Sequence, residues 1–81
     1  MKVARTHVTP VVCVANEGYP ASLEISKLYP MLPEGEPDLG LVRVIDESGE
    51  DYLFPSDYFE PVELSPEVLA ALWPELSSWR R

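Results

Sequence analysis

Residues 52–64 read "YLFPSDYFEPVEL". Pro55 ends an extended run because it has no N–H to give a strand ladder. The next residues, "SDYF", suffice for one turn of 3₁₀ helix, a structure used in short pieces. Ser56 or Asp57 is expected to satisfy a free N–H at its start. Phe59 is expected to turn back to the core while Tyr58 faces out. "EPVEL" then resumes as a last short strand. A strand, a one-turn corner and a second strand in thirteen residues describe a small β-protein that turns sharply at Pro55.

The upstream segments fit that reading. "LVRVIDE" (41–47) alternates with a period of two: Val42 and Val44 share one face, and Leu41, Arg43 and Ile45 the other. "ESGE" (47–50) is a tight turn in which Gly49 supplies the positive φ of a hairpin. "DYLF" (51–54) returns with Tyr52 and Phe54 on one face. "VTPVVCVA" (8–15) is β-branched and apolar, hence a strand, with Pro10 tolerated at its start or on an edge. "NEGYPAS" (16–22) is turn chemistry. Leu23 and Ile25 alternate with Glu24 and Ser26, and "KLYPMLP" (27–33) continues extended with Tyr29 and Met31 on one face. "PEGEPDLG" (33–40) reads as a polar loop.

The pattern changes at Ser65. Ser65 is a good N-cap, Pro66 suits the first helical position and Glu67 favours the positive end of the helix dipole. Val68, Leu69, Leu72, Trp73, Leu76 and Trp79 recur at helical spacing. Pro74 interrupts them, so the spacing predicts a helix over 66–72 and a further turn near 75–79.

The order of elements is that of a five-stranded Src-homology-3 (SH3) barrel, and "YLFPSDYFEPVEL" resembles the end of such domains. "ASLEISKLYPML" resembles the segment after their first long loop. On that resemblance Phe54 and Phe59 match core positions, and Pro55 and Tyr58 match positions that help form a groove for proline-rich peptides. Residues 11–64 also resemble a group of short bacterial proteins of unassigned function, through "NEGY.ASLE", "LVRVIDESGEDYL.P" and "YF.PVEL". The chain departs from peptide-binding SH3 domains where they carry a Trp at the start of the third strand, since Leu41 and Val42 stand there. "VVCVAN" replaces their aromatic first-strand motif. The expected fold is mainly β: a five-stranded SH3-like barrel with a 3₁₀ turn over 1–64, and a short C-terminal helical extension over 65–81 packed on it.

Eighty-one residues make one domain with a small core. The formal net charge is −8, and residues 31–75 hold twelve carboxylates against Arg43 alone. Such a surface repels phosphate backbones, so nucleic acid is not an expected partner. No apolar run approaches the ~20 residues of a membrane span. The N-terminal stretch shows no signal-peptide pattern, and the lone Cys13 leaves no internal disulfide, which fits a reducing cytoplasm.

Catalytic chemistry finds little to work with. His7 and Cys13 would lie ~20 Å apart on one strand. Cys13 sits among valines as a core thiol, and His7 is a solvated residue near the terminus. No four-ligand zinc spacing and no glycine-rich phosphate loop occur. "DESGED" gathers Asp46, Glu47, Glu50 and Asp51 across the hairpin, without the spacing of a calcium loop. The expected function is therefore a non-enzymatic, cytoplasmic protein-binding module needing no cofactor. Its binding surface is expected at Tyr19, Pro55, Tyr58, Trp73 and Trp79, with the four acids steering a basic partner. Two alternatives are a small-molecule, metal or hydrolytic site on the acids, and a homodimeric accessory protein joined through the C-terminal helix. Arg80 and Arg81 beside an acidic rim would suit head-to-tail pairing.

Overall fold

The computed structural model describes residues 8–76. They form a mainly β structure: five antiparallel strands in one sheet, one helix and short 3₁₀ turns. In chain order the strands are β1 (Thr9–Cys13), β2 (Leu28–Glu36), β3 (Leu41–Ile45), β4 (Asp51–Pro55) and β5 (Phe59–Pro61). The sheet order is β4-β3-β2-β1-β5, so the last strand returns beside the first and β4 and β5 are the edges. The sheet is not closed by a β4–β5 ladder. The helix, α1, spans Pro66–Leu72. None of the helices is long and apolar enough to cross a membrane, among the described residues.

One face of the sheet makes the core. Val11, Cys13, Leu23, Tyr29, Val44, Phe54 and Phe59 are buried together, with Met31, Val42 and Tyr58 packed against them. Phe54 on one edge strand and Phe59 on the other meet edge to face, ring centroids 6.2 Å apart. Both edges of the sheet thus feed one core, and the corner between them is the 3₁₀ turn Ser56–Tyr58. Phe59 turns inward as its sequence implies, but neither Ser56 nor Asp57 caps the turn with its side chain. The Ser56 N–H instead donates to the Gly40 carbonyl at 2.8 Å.

Proline placement follows from the ladders. Pro10 in β1 stands opposite Pro30 in β2. Neither residue has an N–H, so the pair fits only a non-hydrogen-bonded position of an antiparallel ladder. Pro55 is the final residue of β4, opposite Leu41.

β5 ends at Pro61, so residues 62–64 of the expected last strand are not strand, and two further segments depart from the sequence reading. Residues 23–27 are not strand: Leu23 N–H donates to the Tyr19 carbonyl at 3.0 Å, closing a turn that sinks Leu23 into the core. Ser26 then takes a left-handed φ of 77°, and Ile25 stays half exposed. The expected loop at 33–40 begins instead as strand, because β2 continues to Glu36 through a register shift. Leu32 faces Arg43 and Glu36 faces Leu41, so β2 carries two extra residues there. Gly35 makes the shift possible: a Cβ at that position would lie 2.9 Å from the Leu41 carbonyl oxygen. The 3₁₀ turn Pro37–Leu39 and left-handed Gly40 complete the connection.

The hairpin and the helix form where their local signals lie. Gly49 has φ 84° in the β3–β4 turn. Ser65 Oγ accepts from the Val68 N–H at 3.2 Å, capping α1 with Pro66 at its first position. After α1 a 3₁₀ turn at 74–76 buries Leu76. Trp73, Glu75 and Leu76 face Lys27, Leu28, Tyr29 and Pro30 across a small cavity of about 150 Å³.

Candidate functional site

The turn between β1 and β2 is pinned to the β3–β4 hairpin, and the site is the gap they leave. Three hydrogen bonds make the pin. Tyr29, buried in β2, accepts at its hydroxyl from the Glu24 N–H at 2.7 Å and donates to Glu47 Oε2 at 2.6 Å. The Glu47 N–H donates to the Ser22 carbonyl at 3.0 Å. Lys27 adds an ion pair to Glu47 at 2.7 Å, its ammonium lying 5.7 Å from the Tyr29 ring centre. Burial and the bond to Glu47 push the Tyr29 hydroxyl well above the ordinary tyrosine range. The bonds from Lys27 and Tyr29 hold the Glu47 carboxyl below its ordinary value.

On the other flank, Tyr58 donates its hydroxyl to the Glu17 carbonyl at 2.6 Å, and its own carbonyl accepts from Val14 at 2.7 Å. Tyr19 stands between the two anchors. Its ring meets Phe54 edge to face at 5.0 Å and Tyr58 at 6.3 Å.

Between these walls opens a cavity of about 420 Å³, lined by Tyr19, Ser22, Asp46, Ser48, Tyr52, Leu53 and Phe54. That volume lies in the lower part of the range of small-ligand pockets, ~300–1,000 Å³. Phe54, a buried core residue, forms part of its wall. Tyr19 from the turn and Tyr52 from β4 are 40% and 49% exposed at its mouth.

The four hairpin carboxylates do not gather. Asp46 is 6% exposed, and its Oδ1 accepts from both the Ser48 N–H (2.9 Å) and the Ser48 hydroxyl (2.6 Å). Glu47 serves the pin described above. Glu50 accepts from the Tyr52 hydroxyl at 3.0 Å, and Asp51 pairs with Arg43 at 3.4 Å. Among the described residues no group of three or more His, Cys, Asp or Glu side chains is arranged to hold a metal ion.

The sequence-derived binding residues therefore separate. Tyr19 lines the cavity and Tyr58 touches Tyr19. Pro55 stands opposite Leu41, at the end of the β3–β4 ladder away from the hairpin turn. Trp73 is half-buried at the separate small cavity beside Tyr29 and Pro30. Trp79 lies outside the described residues, as do His7, Arg80 and Arg81. Cys13 is fully buried, its thiol donating to the Ala15 carbonyl at 3.2 Å, and burial pushes its pKa up. Sequence reasoning did not single out Ser22, Tyr52 and Phe54 as site residues. The alternation of Tyr52 and Phe54 on the core face, running out toward the hairpin turn, was the available signal.

No family model, curated protein or solved structure matches the chain.

Proposed function

We propose that this chain is an SH3-like barrel of the kind found in short bacterial proteins, that it works in the cytoplasm, and that it binds another protein without catalysis. Support for the barrel is that the two sheet edges share one core through Phe54 and Phe59. The observation that carries the binding reading is the open cavity between the 14–27 turn and the hairpin, with the exposed ring of Tyr19 at its mouth and Tyr58 alongside. Partly exposed aromatic rings fixed by packing and hydrogen bonds are pre-organised anchors, costing little further entropy on binding. The hairpin acids supply structural contacts to the fold, which favours binding over acid–base chemistry there.

The test is selection of random dodecapeptides against the full chain, counter-screened on Tyr19→Ala. Enrichment of segments that lose binding to the variant supports the module. If none depends on Tyr19, the reading fails.

Exposed Val68 and Leu72, one turn apart on α1, favour a second reading, a homodimer through the helix. A Val68→Glu, Leu72→Glu variant should then halve the mass seen by light scattering. An unchanged mass removes the dimer.

A further inference from the structure

Building on the binding reading above, we propose that the cavity between Tyr19 and Tyr52 seats an arginine side chain of the partner's segment, with Asp46 as its counter-ion. Asp46 is the starting observation. Its carboxylate is buried, and both hydrogen bonds it accepts from Ser48 fall on Oδ1. Among the described residues no donor reaches Oδ2. Asp46 lines the cavity, so a cationic donor seated there meets a carboxylate that the fold's own donors engage at one oxygen.

No described cation serves it. Lys27 is spent on Glu47, and Arg43 on Asp51 and the Glu34 carbonyl. The surroundings attract positive charge: the Tyr52 hydroxyl is pushed above its ordinary value by its bond to Glu50 and by the charges of Glu50, Asp46 and Asp51. Two exposed tyrosine rings at the mouth suit a planar, weakly hydrated guanidinium better than an ammonium. Beyond the mouth, the Tyr19–Tyr58 pair continues the aromatic strip, which gives flanking residues of a peptide somewhere to lie. A net charge of −8 steers such a basic segment in.

The experiment is an ¹⁵N-resolved NMR titration of the full chain with three probes: the N-acetyl, N-methylamide derivatives of arginine, citrulline and lysine. Citrulline keeps the shape of arginine and loses its charge. The arginine probe should shift the amides of Ser22, Asp46, Glu47, Ser48, Tyr52 and Phe54 saturably, and the citrulline probe should not. Asp46→Asn keeps an acceptor for Ser48 and removes the charge, and should weaken the arginine probe about tenfold, as expected for a lost charge-assisted hydrogen bond. Tyr52→Leu, at an exposed position, gives a second variant if Asp46→Asn fails to fold, and should also weaken it.

Equal shifts with citrulline, a stronger response to lysine, or unchanged binding to both variants would each overturn the assignment. Arg80→Gln with Arg81→Gln closes one more route: if that change alone shifts residues 46–52 and tightens the probe, the chain's own tail is the occupant and the partner assignment falls. Should Tyr19-dependent dodecapeptides be selected without arginine, the arginine seat is wrong while the binding module stands.

Discussion

Replacing Tyr29 with Phe removes one oxygen and leaves the buried ring, so the cost can be worked from two hydrogen bonds. The hydroxyl accepts from the Glu24 N–H and donates to the Glu47 carboxylate. Taken at face value, a neutral bond of ~1 kcal/mol and a bond to a charged group of ~1.5–3 kcal/mol would sum to a few kcal/mol. The structure lowers that figure. The Glu47 side chain is 33% exposed and keeps Lys27, and Glu24 is an exposed residue. A loss of about 1.5–2.5 kcal/mol remains, which for a domain this size lowers Tm by roughly 6–20 °C. Urea unfolding of wild type, Tyr29→Phe, Glu47→Gln and the double variant measures it, and the cycle should return a coupling of about 1 kcal/mol.

The same pair predicts an alkaline signature. Tyr29 has a folded pKa raised above its unfolded value near ~10. Its contribution is therefore fully present below pH ~10 and is lost as pH rises through the folded value. The stability gap between wild type and Tyr29→Phe should narrow above pH ~10. A loss under about 0.5 kcal/mol, with additive single variants, would refute the idea that this hydroxyl ties the long turn to the hairpin.

Other positions give shorter tests. Gly35→Ala would place a methyl 2.9 Å from the Leu41 carbonyl and 3.3 Å from the Val42 Cα, both backbone atoms that cannot swing aside. It should destabilise by about 1–3 kcal/mol in a denaturant melt, and a neutral result would mean that β2 slips its register freely. Glu47, with its folded pKa depressed, stabilises above the ordinary glutamate value near ~4.3 and loses that contribution as pH falls through the folded value. Melting curves between pH 6 and pH 3 should therefore fall less steeply for Glu47→Gln than for wild type. Cys13, fully buried with a raised thiol pKa, should react with a disulfide reagent only as fast as the chain opens, and rapid labelling of the native protein would contradict its place in the core.

Features encoded within a few residues were legible. Pro55 marks the end of β4, Gly49 the hairpin, Ser65-Pro66 the helix start, and the valines around Cys13 its burial. Each depends on backbone chemistry acting within a turn. Residues 23–26 misled because period-two alternation cannot distinguish a strand from a turn that buries one of its apolar residues. Leu23 is pulled inward by a bond to Tyr19, and Ile25 is left outside. The run of β2 past Pro33 was hidden because its register shift depends on a close backbone approach at Gly35, which composition does not reveal. Of the candidate site, Tyr19 and Tyr58 were legible only as members of a wider set with Pro55, Trp73 and Trp79. The cavity was not, since it exists only where two segments more than twenty residues apart are held at a set distance.

The acidic hairpin shows why that distance matters. Four carboxylates in six residues repel one another, and a cluster read from sequence looks like a cation site. The fold disperses them: Glu47 onto Lys27 and Tyr29, Asp51 onto Arg43, Glu50 onto Tyr52 and Asp46 into its own turn. The partners of Glu47 lie eighteen and twenty residues away, on or beside β2, so its dispersal is what clamps the long turn against the hairpin. Clamping sets the spacing of Tyr19 and Ser22 from Asp46 and Tyr52, and so shapes the cavity. Among the described residues, the donors to the Asp46 side chain both come from Ser48 and fall on one carboxylate oxygen, whereas Glu47 and Asp51 meet the cations Lys27 and Arg43. A single feature of the chain, too many acids in one turn, thus produces both the rigid corner and the residual negative charge within it.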